Sequence, residues 1–98
     1  MAPTPLSDAQ VADFLSTHAG WVLEGPMLAR TFEAPNFLRA IDFVGQVGKV
    51  AEAADHHPDI DVRWRKVTLR FVTHDAGNKV TALDAKLADE CSKLFAAL

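Results

Sequence analysis

The sequence predicts an α+β fold: a four-stranded antiparallel sheet with three helices on one face, in the order α-β-β-α-β-β-α. Three observations carry this. Three stretches repeat apolar residues at spacings of three and four; the segment after Asp59 changes to a period of two; and two extended stretches are each split by a tight turn. Hairpins pair sequential strands directly, so two of them build an antiparallel sheet whose apolar face the helices must cover.

The first helix opens at Ser7, where Ser7 and Gln10 form a capping box that satisfies two free backbone donors reciprocally. Val11, Phe14 and Leu15 then repeat at helical spacing, and Gly20 is placed to close the helix as a left-handed cap. Trp21–Glu24 and Met27–Glu33 flank the turn dipeptide Gly25-Pro26 and make the first hairpin. Pro35 suits the first turn of a long central helix, whose apolar positions are Phe37, Ala40, Ile41, Val44, Val47, Val50, Ala51 and Ala54. Pro58 disfavours helical geometry in the residue before it, so His56 and His57 fall at the helix C-terminal end.

From Asp59, the residues Ile60, Val62 and Trp64 alternate with Asp59, Asp61 and Arg63. Val67, Leu69 and Phe71 then alternate with Thr68 and Arg70, so a second hairpin turns near Arg65 and its last strand ends at His74. A polar loop, Asp75–Lys79, leads to Thr81 and Asp84, a second capping-box-like start, and Leu83, Leu87, Cys91 and Leu94 form the apolar stripe of the third helix. A sheet of this size leaves two edges and one open face for self-association.

Composition narrows the function classes. The 98 residues suit a single domain over 1–98 with one core, and 49% apolar against 23% charged residues is the balance of a folding chain rather than a disordered one. A net charge of -3 provides no basic footprint for nucleic acid, and no apolar run reaches the length of a membrane span. Met1–Gln10 lacks the pattern of a secretory leader, and a lone cysteine, Cys91, cannot form an intrachain disulfide, so a cytoplasmic protein is expected.

The chemistry-bearing residues are spread at long range. Glu52 is followed after three residues by His56-His57-Pro58, after five more by Trp64, after nine by His74 and after nine by Asp84. Imidazole, with a pKa of ~6.5 in model peptides, can give or take a proton near neutrality. Glu52 stands four residues before His56 and is expected on the same helical face, within hydrogen-bond reach of it. Taken singly, a His pair at a helix end can simply answer the helix dipole, Asp84 can serve only as a cap, and Trp64 reads better as a packing residue at a hairpin end than as a stacking platform. Three histidines and a carboxylate could also bind zinc, but adjacent histidines lack the i, i+4 spacing with which one helical face chelates, and no metal is expected.

The combined spacing resembles that of the pterin-4a-carbinolamine dehydratase family over nearly the whole chain. That resemblance implies a cofactor-free lyase removing water from 4a-hydroxytetrahydropterin to give quinonoid dihydropterin, in the recycling of tetrahydrobiopterin. It implies His56, His57 and His74 as catalytic residues, with Glu52, Asp55, Pro58, Trp64 and Asp84 serving the substrate site, and it leaves acid and base unassigned among the three histidines. It further implies a homodimer or homotetramer and a functional link to an aromatic amino acid hydroxylase. The alternative is a non-catalytic binding module acting as a transcriptional or hydroxylase-regulating partner, since animal members of the family also serve as dimerisation cofactors of a homeodomain transcription factor and bacterial relatives are linked to expression of the hydroxylase.

Overall fold

The computed structural model describes residues 3–98 and has the expected element order: α1 (Asp8–Thr17), β1 (Val22–Glu24), β2 (Met27–Glu33), α2 (Phe37–Ala54), β3 (Asp59–Arg63), β4 (Lys66–Phe71) and α3 (Ala82–Ala96). What was expected of Met1 and Ala2, within the leader reading and the 1–98 domain, lies outside the described residues. The strands form one antiparallel sheet in the order β1-β2-β4-β3, with β1 and β3 as its edges. Side chains alternate across the sheet as a period of two requires. Leu28 and Phe32 of β2 and Val67, Leu69 and Phe71 of β4 are buried against Ala40, Phe43 and Val47 of α2 and Leu87, Ala88 and Cys91 of α3. Phe32, Phe43 and Phe95 close this core as an aromatic triangle with centroids 4.9 to 5.2 Å apart. The opposite face is polar: Thr31 and Thr68 share a 2.8 Å hydrogen bond, Arg70 pairs with Glu24 and Arg65 with Glu33.

Both capping boxes form as read, Ser7 with Gln10 and Thr81 with Asp84. Other boundaries differ. The C-cap of α1 is His18 rather than Gly20; Gly20 follows in the turn with φ +91°, where a Cβ would come within 2.7 Å of Arg30 Nε. Pro35 precedes α2 instead of joining its first turn, because Asn36 takes the N-cap by accepting from the Arg39 N–H at 2.9 Å. Leu83 faces solvent, and Ala88 holds the buried place in the α3 stripe. Ile41 and Ala54 lie on the exposed side of α2. Trp64, with φ +55°, occupies the β3–β4 turn with Arg65 and is 73% exposed, so it is not a packing residue. His74 opens a short 3-10 turn, His74–Ala76, beyond the end of β4.

The helices sit over the central strands β2 and β4, so the apolar side chains of the edge strands are incompletely covered. Ile60 and Val62 on β3 and Leu23 on β1 remain exposed on the helix side, and Val22 is exposed on the opposite face.

Candidate active site

Three chain segments meet at one end of the sheet. The register Asp59↔Arg70 sets the residues before β3 beside those after β4, which brings Asp55–His57 against Val72–Asp75. Helix α2 stops at Ala54, and Asp55 adopts a left-handed conformation (φ 49°, ψ 41°) as its C-cap, its N–H directed to the Ala51 and Glu52 carbonyls. This turn swings His56 and His57 off the helical path. A cleft of about 290 Å³ results, lined by Asp55, His56, His57, Val72, Thr73, His74 and Asp75, near the lower end of the ~300–1,000 Å³ of small-molecule sites.

Each histidine is held by one ring nitrogen. His56 Nε2 lies 2.6 Å from Asp84 Oδ1, and the Asp84 carboxylate is fully buried at the N-terminus of α3. Its other oxygen accepts from the Thr81 N–H at 2.8 Å and the Thr73 hydroxyl at 2.7 Å. His57 Nε2 lies 2.7 Å from Glu52 Oε1 in an exposed pair. His74 Nδ1 lies 2.7 Å from Asn78 Oδ1. Carboxylate and amide oxygens only accept, so the bound nitrogen carries the proton in every case. The second nitrogen is left for a ligand: Nδ1 of His56 and His57, Nε2 of His74. Among the described residues, no group of three or more His, Cys, Asp or Glu side chains is spaced to hold a metal ion.

The family model described as pterin 4 alpha carbinolamine dehydratase matches residues 4–94. The chain belongs to the pterin-4-alpha-carbinolamine dehydratase family. A relative from Roseiflexus sp. (strain RS-1), named as a proposed dehydratase of this type, is 48% identical over 92 residues, covering 94% of this chain and 98% of its own. One from Mycolicibacterium smegmatis, named likewise, is 43% identical over 90 residues, covering 92% and 95%. A crystal structure described as a transcriptional coactivator/pterin dehydratase from Brucella melitensis superposes with a TM-score of 0.88 at 29% identity, covering 94% of this chain and 99% of that one.

Of the residues singled out in sequence, this dehydratase-family fold gathers Glu52, Asp55, His56, His57, His74 and Asp84 at the cleft or directly behind it. Pro58, half-buried, carries the chain from the histidine pair into β3. Trp64 stands apart within one chain, because Lys66–Phe71 alone separates the turn from the cleft by roughly 17 Å at ~3.3 Å per residue. The expected partnership of Glu52 with His56 is replaced: Glu52 binds His57 and Asp84 binds His56, since the helix ends before either histidine. Three participants had no assigned role in the sequence reading: Thr73 behind His56, Asp75 in the cleft wall, and Asn78 at φ +59° holding His74. The Asn78 signal is an amide four residues after a candidate histidine, beside a glycine, in a loop that needs left-handed conformations.

Proposed function

We propose that the protein dehydrates 4a-hydroxytetrahydropterin to quinonoid dihydropterin by general acid–base catalysis through His56, His57 and His74, within tetrahydropterin recycling after aromatic amino acid hydroxylation. The observation that carries this reading is three imidazoles at one cleft, each with one nitrogen anchored to an acceptor and the other unused. The chemistry asks for little more. A protonated imidazole gives its proton to the C4a hydroxyl, and the C4a–O bond breaks to release water. A neutral imidazole takes a ring-nitrogen proton, and the freed electron pair forms the new C=N bond. Positioned acids and bases of this kind contribute roughly 10²- to 10⁴-fold each.

Asp55, Glu52 and Asp84 supply negative charge around the imidazoles, and Pro58 carries the chain from the pair into β3. No cofactor or metal enters these steps. A single free, buried Cys91 is compatible with a reducing compartment such as the cytoplasm. The test follows the ultraviolet signal of 4a-hydroxytetrahydrobiopterin, generated in situ, with wild-type protein and with His57→Ala after metal chelation. Acceleration by the wild type and its loss in the variant support the reading; a folded wild type without acceleration overturns it.

Self-association is part of the same proposal. Strand β3 is an open edge, and the triplet Asp61-Val62-Arg63 within it complements itself about Val62. A two-fold axis there sets Val62 against Val62 of a second copy and Asp61 against its Arg63, all within the strand Asp59–Arg63. Each of these pairs is apolar with apolar or acidic with basic, as antiparallel neighbours favour.

A second reading has one observation behind it, the coactivator description carried by the Brucella melitensis protein. A non-catalytic binding role predicts that His57→Ala leaves partner binding intact, whereas the catalytic reading requires that variant to lose dehydration.

A further inference from the structure

We propose that Thr73 is a positioning residue for His56, acting through Asp84. Its kinetic consequence rests on the dehydratase reading, whereas its structural consequence rests on geometry alone. Thr73 is 4% exposed, and its hydroxyl lies 2.7 Å from Asp84 Oδ2 and 2.8 Å from the Thr81 hydroxyl. Proton counting orders these contacts. A carboxylate oxygen can only accept, so the Thr73 proton goes to Asp84. Thr81 therefore donates to Thr73 while its oxygen accepts from the Leu83 N–H at 3.3 Å. The resulting chain runs Leu83 N–H, Thr81, Thr73, Asp84, His56; its three middle members are buried, and the His56 side chain at its cleft end is 12% exposed. No buried side-chain nitrogen or oxygen among the described residues lacks a partner.

The chain decides which face of the imidazole is presented. With Oδ2 held by the Thr73 hydroxyl and the Thr81 N–H, the carboxylate can turn only one oxygen, Oδ1, to His56. That oxygen accepts from Nε2, so Nδ1 is the nitrogen left for a ligand. Removing the Thr73 hydroxyl releases the shortest contact on Oδ2 and leaves the Thr81 N–H at 2.8 Å and a long Thr81 hydroxyl contact at 3.5 Å, so the carboxylate gains freedom to rotate. The Thr73 backbone is secured separately, since its N–H donates to the Lys79 carbonyl at 3.0 Å. A side-chain change therefore leaves the loop anchored.

The experiment compares wild type, Thr73→Val, which keeps the shape and removes the hydroxyl, and Thr73→Ser, which restores it. The first readout is the imidazole nitrogen spectrum of the full chain labelled with ¹⁵N-histidine, with His56→Ala for assignment. The expected result is a single Nε2–H tautomer for His56 in wild type and Thr73→Ser, and a tautomer mixture in Thr73→Val. The second readout is kinetic: kcat is expected to fall between roughly ten- and a hundredfold in Thr73→Val with KM little changed, and to recover in Thr73→Ser. If Thr73→Val does not fold, Thr73→Ala takes its place in the same comparison. An unchanged His56 spectrum together with unchanged kcat overturns the proposal, as does a loss of activity that serine fails to restore. Should wild type lack dehydratase activity altogether, the function reading fails, and the spectra still decide the role of Thr73.

Discussion

His56 Nε2 and Asp84 Oδ1 lie 2.6 Å apart, joining a residue just past the C-terminus of α2 to the third residue of α3. The same carboxylate closes the α3 capping box through its other oxygen. One buried side chain therefore starts a helix and orients a candidate catalytic imidazole, which ties stability to function at this point.

Asp84→Asn separates the two jobs only partly. The asparagine oxygen can still accept from the Thr81 N–H, but its amide nitrogen then faces His56 and forces the opposite tautomer, with the proton on Nδ1. The expected outcome is a loss of about 1–3 kcal/mol in stability, measured by urea unfolding, because hydrogen bonds to a charged, buried acceptor are lost. Dehydratase turnover is expected to fall by roughly 10²- to 10⁴-fold, since the free nitrogen changes from acceptor to donor. A fall in stability without a change in turnover would remove Asp84 from the mechanism.

Glu52→Gln tests the contrasting case. The Glu52–His57 pair is exposed on both sides, so its loss is expected to change stability by less than about 1 kcal/mol. Turnover is expected to drop more visibly than stability, because an amide can also turn its NH2 group to His57 and so no longer fixes the proton on Nε2. Equal melting temperatures with reduced kcat would bear this out, and equal kcat would reduce Glu52 to a surface residue.

How much of this was legible in the sequence depends on whether the information is local. Element order was readable because Ser7 with Gln10, Gly25-Pro26, Pro58 and Thr81 with Asp84 punctuate the chain within a few residues of each boundary. Glu52, Asp55, both histidines of the pair, His74 and Asp84 were readable as a set, whereas Thr73 and Asp75 were not, and Trp64 lies at the far end of its hairpin. Which acid serves which histidine was not. That pairing depends on the left-handed conformation of Asp55, a single non-glycine residue that redirects both imidazoles, and helical spacing carries no sign of it. Asn78 was missed for a related reason: it reaches His74 only through a loop containing two left-handed residues, Gly77 and Asn78.

Asn78→Gly should therefore move stability and activity differently. Glycine adopts the positive φ of position 78 without a side-chain penalty, which offsets the loss of an exposed hydrogen bond, and stability is expected to stay within about 0.5 kcal/mol. The His74 ring loses its hydrogen bond to the Asn78 side chain, while its carbonyl still accepts from the Gly77 N–H. Turnover is expected to fall, and Asn78→Asp, which restores an acceptor, to recover part of it.

Cys91 provides a pH prediction independent of the cleft. Burial, with a smaller contribution from Glu90, pushes its thiol up from 9.0 to about 12. The folded state thus keeps the proton while the unfolded chain loses it above pH 9, so the unfolded state binds fewer protons and stability falls as pH rises from about 9 towards 12. Below that window the contribution is fully present. Cys91→Ala should show a shallower decline over the same range, and the native thiol should react with a thiol reagent only at the rate of unfolding. Rapid labelling of the folded protein would contradict the burial.

The edge strand gives the most decisive test of assembly. If β3 pairs with a second β3 about Val62, Asp61 of each copy faces Arg63 of the other, and the two contacts are identical by symmetry. Asp61→Arg then sets arginine against arginine at both contacts, and Arg63→Asp sets aspartate against aspartate. Each single variant is expected to shift the protein towards a smaller species by light scattering, more strongly at low salt than at high salt because these edge charges are exposed. The double variant Asp61→Arg with Arg63→Asp restores opposite charges across the axis and should restore the wild-type assembly. Intrachain pairing cannot produce that pattern through size, since Arg63 and Asp61 of one chain, 3.4 Å apart, would be exchanged without changing the number of copies. Recovery in the double variant therefore reports the register itself; two single variants that leave the size unchanged would move the contact away from this edge.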